Sequence, residues 1–452
     1  MKNLLKLLLG VGIIFSGCSK FVEDYDVSPN NPSEVSAPLL LTNAEVALFA
    51  THSGQLARTT SILTQSLSGT DAQMIDVEQY RVLEGDNVNE WEVIYTDGLE
   101  ACQDIINNYG ENTHYLGIAK ILKAMFLGVA TDLWGDIPSS EALRGKANLS
   151  PKYDVQQTVI AQIQSLLGEG IGHLNASVDG LSPDSDDIIY GGDVSAWVTV
   201  AYVLKARYAV RINQTPGNTG NSDAISALNA AAMTSSDQDM NMIFGSAGNE
   251  QNQWSAFDIA RPGYVRLGKP FVDGLIANSD PRLPFYANKD TGNIIYRGAI
   301  IGAGDQTASP IGSYLKGITF PLVSCVEAKF LEAEAKFATD KSGSASAYND
   351  AVKASVLQVT GSADAGFEAA YASETDATIS LDKIHSQKYI ALFGQVEAYS
   401  NWRRTGVPSL TPNPSGSTSV IPVRLPTPLD ERLYNKNATV VSDITQPVWW
   451  DQ

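Results

Sequence analysis

Apolar residues recur at three- and four-residue steps along most of this chain, and that period dictates an all-α architecture. The clearest stripe runs from Tyr115 to Trp134 through Ile118, Leu122, Met125, Val129 and Leu133, and stops at Gly135-Asp136-Ile137-Pro138. Glycine and proline end helices there for backbone reasons. Trp91 to Tyr109 precedes it, with Ile94, Leu99, Cys102 and Ile105 on one face. Asp154 opens a helix over 155–174, and Asp193 is the N-cap of another carrying Trp197, Ala201, Leu204 and Tyr208. Pro321 to Ala338 and Ser344 to Val359 form a third pair, and one long helix covers Ser380 to Trp402. Antiparallel pairs of this kind resemble tetratricopeptide units, although the spacing between them is irregular. Such pairs bury one another's apolar faces and build a scaffold.

The helical stretches are interrupted by long segments without that period. Residues 65–90, 175–192, 234–320 and 405–452 are rich in Gly, Asn, Asp, Ser and Pro. Loops of this length in a compact fold carry function. A few short strands are expected there, with a hairpin around Asp290-Thr291-Gly292-Asn293.

Charge and motifs narrow the function classes. The net charge of −19 comes with no basic cluster, which excludes a nucleic-acid partner. His52, His114, His173 and His385 are scattered, with no zinc-type spacing, so no metal and no cofactor is expected. There is no Gly-x-Ser-x-Gly elbow and no phosphate-cradling Gly-x-x-x-x-Gly-Lys, and no catalytic residue is assigned. Cys102 and Cys325 lie inside apolar helical patterns and read as buried free thiols, with a single disulfide as the alternative.

At the amino end, Lys2 and Lys6 precede an apolar run from Leu7 to Phe15, then Ser16, Gly17 and Cys18. The layout is that of a secretory signal, too short to span a bilayer permanently. The small pair before a cysteine resembles a bacterial lipobox, with Phe15 in place of the usual leucine. An ordinary cleaved signal is the alternative. On the lipobox reading residues 1–17 are removed, Cys18 is acylated, residues 18–40 form an acidic extended segment, and residues 41–452 fold.

Several ordered segments together resemble the SusD/RagB-like nutrient-binding outer-membrane lipoproteins of the Bacteroidetes. They are Ser28-Pro29-Asn30-Asn31-Pro32, Trp91-x-x-x-Tyr95, Trp134 to Pro138, Asp280-Pro281-Arg282-Leu283, Glu332-Ala333-Glu334-Ala335, Gln387-Lys388-Tyr389, Arg403-Arg404-Thr405-Gly406 and Pro422 to Pro426. The Arg-Arg-Thr-Gly form and the Trp449-Trp450-Asp451 ending look closer to the SusD-like second subfamily than to the founding starch binder. The resemblance implies a non-enzymatic, lipid-anchored protein on the outer face of the outer membrane, capping a SusC-like TonB-dependent transporter. It would capture oligosaccharide or peptide and pass it into the barrel. Glu23, Asp24 and Asp26 resemble the surface-export signal of such lipoproteins. Tetratricopeptide-like helices over about 91–233 and 321–402 would face the transporter by family analogy, and the loops over about 65–90 and 234–320 would hold cargo.

Binding a sugar needs aromatic platforms beside planar polar partners. Tyr80, Trp254, Tyr264 and Tyr296 lie in the irregular segments, and Gln73, Arg81, Arg261 and Arg266 offer hydrogen bonds. Against this, an aromatic in a long loop commonly pins that loop to the core. Trp91, Trp134 and Trp197 read as packing residues, Arg403 and Arg404 as caps for the end of their helix, and Trp449-Trp450 as the dock of the carboxyl end. A surface glycoside hydrolase, with two carboxylates flanking a cleft, and an adhesive lipoprotein without small ligand are the alternative function classes.

Overall fold

The computed structural model describes residues 35–178 and 180–451, so Cys18 and residues 19–34 of the acidic segment lie outside the described residues. The end of the range expected to be extended is helical, within Ala37–Ser53. Among the described residues the fold is mainly helical, with three two-stranded antiparallel sheets. Thr113–Trp134 is buried on nearly every side and forms the centre. A helix apolar all round belongs in a core rather than at a surface. It lies against Gln156–Leu174, Val194–Arg211 packs on Gly220–Ala231, and Cys325–Lys336 packs on Lys341–Thr360. The sequence pairing is therefore one helix out of phase over 91–231, because Gly220–Ala231 was invisible as a partner.

Other boundaries also move. The segment 319–323 is a strand paired with Met240–Ile243, and the following helix starts at Cys325, where the Ser324 hydroxyl accepts from the Glu327 N–H at 3.2 Å. The single helix expected over 380–402 is two, Leu381–Ala391 and Val396–Thr405. Gly394 turns the chain between them at φ +79°, a conformation that costs glycine nothing. Trp91 to Tyr109 is α-helical at both ends, with a π-helical stretch over Val93–Leu99. Asp193 caps its helix as expected, accepting from the Ser195 and Ala196 N–H groups. Asp154 does not open a helix. Its carboxylate accepts from the Ser139 and Ser140 N–H groups, and Asp136 takes the Gln156 N–H at 2.8 Å. Those bonds fix the Gly-Asp-Ile-Pro turn against Tyr153–Asp154.

A lattice of buried ion pairs crosses the helix stack. Arg207 binds Glu327 at 2.6 Å, and Arg211 binds Asp132 at 3.1 Å and Glu397 at 2.5 Å. Arg404 binds Glu334 at 2.5 Å. Arg403 donates to the carbonyls of Asp132 and Val423 and lies over Tyr399 and Trp450. The two arginines stand in the last turn of their helix, as expected, and also cross-link distant segments. Buried ion pairs punish any other arrangement of the same helices, because misplacing one partner strands a charge. Trp450 is buried against Ile160 and Val448 and docks the carboxyl end. Cys102 and Cys325 are buried free thiols. Among the described residues no helix is long and apolar enough to cross a membrane.

Candidate functional site

The two irregular segments nominated from the sequence meet in space. Leu67–Gly69 pairs with Val265–Leu267, with Leu67 opposite Leu267 and Gly69 opposite Val265. Thr70 extends the clasp, its N–H donating to Tyr264 and its hydroxyl to the Gly263 carbonyl at 2.6 Å. The Ala299 N–H donates to Leu267, so the 290–299 loop joins the same assembly. Three short helices, Gln253–Ala260, Lys269–Ala277 and Leu283–Tyr286, punctuate it, and Ala72–Glu78 lies in the earlier segment. At Asp290–Asn293 the chain turns, with the Asn293 N–H on Asp290 at 2.7 Å, but no strand ladder flanks the turn.

The loops are anchored to the helices by aromatic and ionic contacts. Phe271 stacks on Phe393 with centroids 4.8 Å apart, and Tyr286 leans on the same ring. Arg282 is fully buried, bound to Asp280 at 2.7 Å and donating to Ser355 and Gln387. That accounts for the Asp-Pro-Arg-Leu motif as a rivet between loop and scaffold.

The eight residues nominated as ligand contacts divide by exposure. Trp254 is 1% exposed beneath its helix, whose cap Asn252 donates to Leu315 and Gly317, so this tryptophan pins the loop to the core. Tyr80 is 4% exposed, and its hydroxyl accepts from the Asn413 N–H at 2.7 Å. Arg266 is buried and donates to the carbonyls of Gln306 and Val265. These three are held inside the loop assembly. Gln73 and Arg81 are exposed, Arg81 being paired with Asp76 at 2.6 Å.

Tyr296 lines an open cleft of about 550 Å³ together with Leu275, Ile276, Lys289, Ile294 and Ile295. Ile294 is 71% exposed, an apolar face left uncovered beside an aromatic ring. The volume lies within the range of small-molecule sites, about 300–1,000 Å³. Arg261 is exposed and Tyr264 half-buried, and both gather on Phe257: Tyr264 edge-on at 6.3 Å and the Arg261 guanidinium 5.6 Å from the ring centroid. Sequence reasoning missed Phe257 and also Arg58, whose guanidinium lies 4.2 Å from the same centroid. The available signal was that Arg58 is the sole charged residue between Glu45 and Asp71. Burial draws the Arg58 pKa down to about 10, and the neighbouring Glu90 opposes that shift. Glu90 is itself raised by burial.

A stack of helix pairs that holds laced, aromatic-bearing loops is the architecture of a ligand-binding scaffold. Comparison with known proteins defines it further. The family model described as starch-binding associating with outer membrane, of the SusD-like second type, matches residues 29–428, and the chain belongs to that family. A solved chitin-binding protein is 27% identical, with a TM-score of 0.76 over 92% of this chain and 100% of its own. A SusD/RagB family protein from Bacteroides thetaiotaomicron is 23% identical, with a TM-score of 0.79 over 92% of this chain and 99% of its own. A chitin-binding SusD homologue from Flavobacterium johnsoniae shares the fold at 21% identity, with a TM-score of 0.79 over 92% and 98%. No curated protein matches the sequence.

Proposed function

We propose that this protein is a cell-surface lipoprotein, anchored through Cys18, that captures oligosaccharide and delivers it to a SusC-like TonB-dependent transporter. The observation that carries the reading is the family match over residues 29–428, which spans both the scaffold and the loops. A glycan is favoured over a peptide because the 27% identical neighbour binds chitin and because Tyr296 offers a ring beside exposed apolar side chains. Sugar rings present C–H faces that seat on such a surface. On this reading Tyr296, Tyr264 and Arg261 meet the cargo, the exposed Gln73 and Arg81 add polar contacts to it, and Tyr80, Trp254 and Arg266 hold the loops that present them. Affinity for free cargo is micromolar or weaker, about −8 kcal/mol or less favourable, so that release into the barrel is not a barrier.

The test uses the full chain in its own outer membrane. A tagged protein should co-purify with a TonB-dependent barrel, and Cys18→Ala should abolish both surface protease sensitivity and glycan uptake. Purification without a transporter, or unchanged uptake by the Cys18→Ala strain, contradicts the reading.

A further inference from the structure

The chain has thirteen arginines, and eleven of them bind a carboxylate, carbonyl or hydroxyl. The side chains of Arg58 and Arg261 make no hydrogen bond and no ion pair among the described residues, and both lie on the one ring of Phe257. That is costly in two ways. Arg58 is 8% exposed, and its Nε and Nη1 are buried without a partner, which leaves Nη2 as the nitrogen at the surface. Unpaired buried donors on a charged group forfeit more than those on a neutral one. The two guanidinium groups also repel each other across a single phenyl, in a protein where acids outnumber bases 50 to 31. Glu90 is the acid whose charge acts on Arg58, and it forms no ion pair with it.

The geometry points to a carboxylate-binding subsite at Arg58 and Arg261, walled by Phe257 and Tyr264, that takes the acidic group of a uronate-bearing oligosaccharide. The outward Nη2 of Arg58 offers a charged N–H donor to a carboxylate oxygen, and the exposed Arg261 supplies the second cation beside it. Phe257 and Tyr264, both half-buried and set edge to face, would seat the C–H face of the same sugar ring. An incoming carboxylate offsets the repulsion and takes the free donors of Nη2 and Arg261, whereas a neutral glycan leaves the repulsion in place. The inference rests on the glycan-capture reading above and adds the class of glycan.

Calorimetry on the full soluble chain with tetragalacturonate and tetramannuronate, each beside its methyl ester, and with neutral chitotetraose tests it. At least one free acid should bind roughly 10- to 100-fold tighter than its own ester, the range one charge-assisted contact commands. Arg261→Gln, a surface change that leaves the fold intact by circular dichroism, should erase that preference. Arg58→Lys, which keeps the charge but loses the outward Nη2 donor, should weaken it. Esters or chitotetraose binding as tightly as the acids, or a preference untouched by Arg261→Gln, overturns the carboxylate subsite while glycan capture stands. If no sugar binds and acidic peptides do, both readings fall.

Discussion

Replacing Glu334 with glutamine removes the carboxylate nearest to a buried cluster of cations. Glu334 is 4% exposed, with Arg404 at 2.5 Å, Lys388 at 3.8 Å and His385 at 3.9 Å. Burial by itself raises its pKa, but Arg404, Lys388 and His385 overcome that and hold it at about 2. Burial depresses His385 to about 4, so at neutral pH the charges facing Glu334 are those of Arg404 and Lys388. The difference from the ordinary value of 4.5, at about 1.4 kcal/mol per unit, makes ionisation of Glu334 worth about 3 kcal/mol of stability at pH 7. Because the folded-state pKa is depressed, this contribution is complete above about 4.5 and is lost as pH falls toward 2. Urea unfolding of wild type and Glu334→Gln should therefore differ by about 3 kcal/mol at pH 7 and by less than half of that at pH 3. A double variant with Arg404→Met should be more stable than the sum of the single losses, since each single change strands the other's charge. A difference under about 1 kcal/mol at pH 7, or one that does not shrink with acid, refutes the reasoning.

Two further outcomes follow from the same core. Glu45 is fully buried, accepts from the Ile188 N–H at 2.8 Å, and is pushed well above the usual carboxylate range by burial and by the charge of Asp187. Its protonated form suits the fold, so it costs stability as pH climbs past the ordinary range. The melting-temperature advantage of Glu45→Gln over wild type should grow between pH 5 and pH 8, and a constant gap counts against the assignment. At Gly128 an added methyl would overlap the hydroxyl and ring of buried Tyr208, so Gly128→Ala should cost about 2 kcal/mol or more. Gly172 is exposed on its helix with nothing within 4 Å, and Gly172→Ala should gain about 0.5–1 kcal/mol by chemical denaturation. Equal effects at the two positions would show that helix propensity, not the close approach of two helices, governs Gly128.

Legibility in the sequence depended on how a helix is buried. Val194–Arg211 was visible because large apolar residues recur behind an aspartate cap. Ala37–Ser53 was not, because Glu45, Thr51 and Ser53 are buried alongside its leucines, so polar positions do not mark a solvent face. Gly220–Ala231 packs through Ala224, Ala227 and Ala231, which are too small to draw a stripe. Arg403 and Arg404 carried a local explanation, yet the groups they bind, Glu334 and the Asp132 carbonyl, are far away in sequence. Long-range pairing leaves no trace in spacing. The candidate site shows the same division. That the 65–90 and 234–320 loops carry the candidate site was read from their composition, length and family resemblance, whereas their pairing through Leu67–Gly69 and Val265–Leu267 left no sign in the sequence. Which aromatics face outward did not, since Trp254 and Tyr296 look alike in sequence and differ only in what packs above them.

The loops are expected to take the cargo while the ion-paired helices stay unchanged beneath them. Hydrogen–deuterium exchange of the full chain, with and without a saturating oligosaccharide, tests that division most directly. The account predicts slowed exchange within 253–299, around Phe257, Tyr264 and Tyr296, and unchanged exchange across Thr113–Trp134, Val194–Arg211 and Lys341–Thr360. Protection confined to those helices, with the loops exchanging as before, would contradict it.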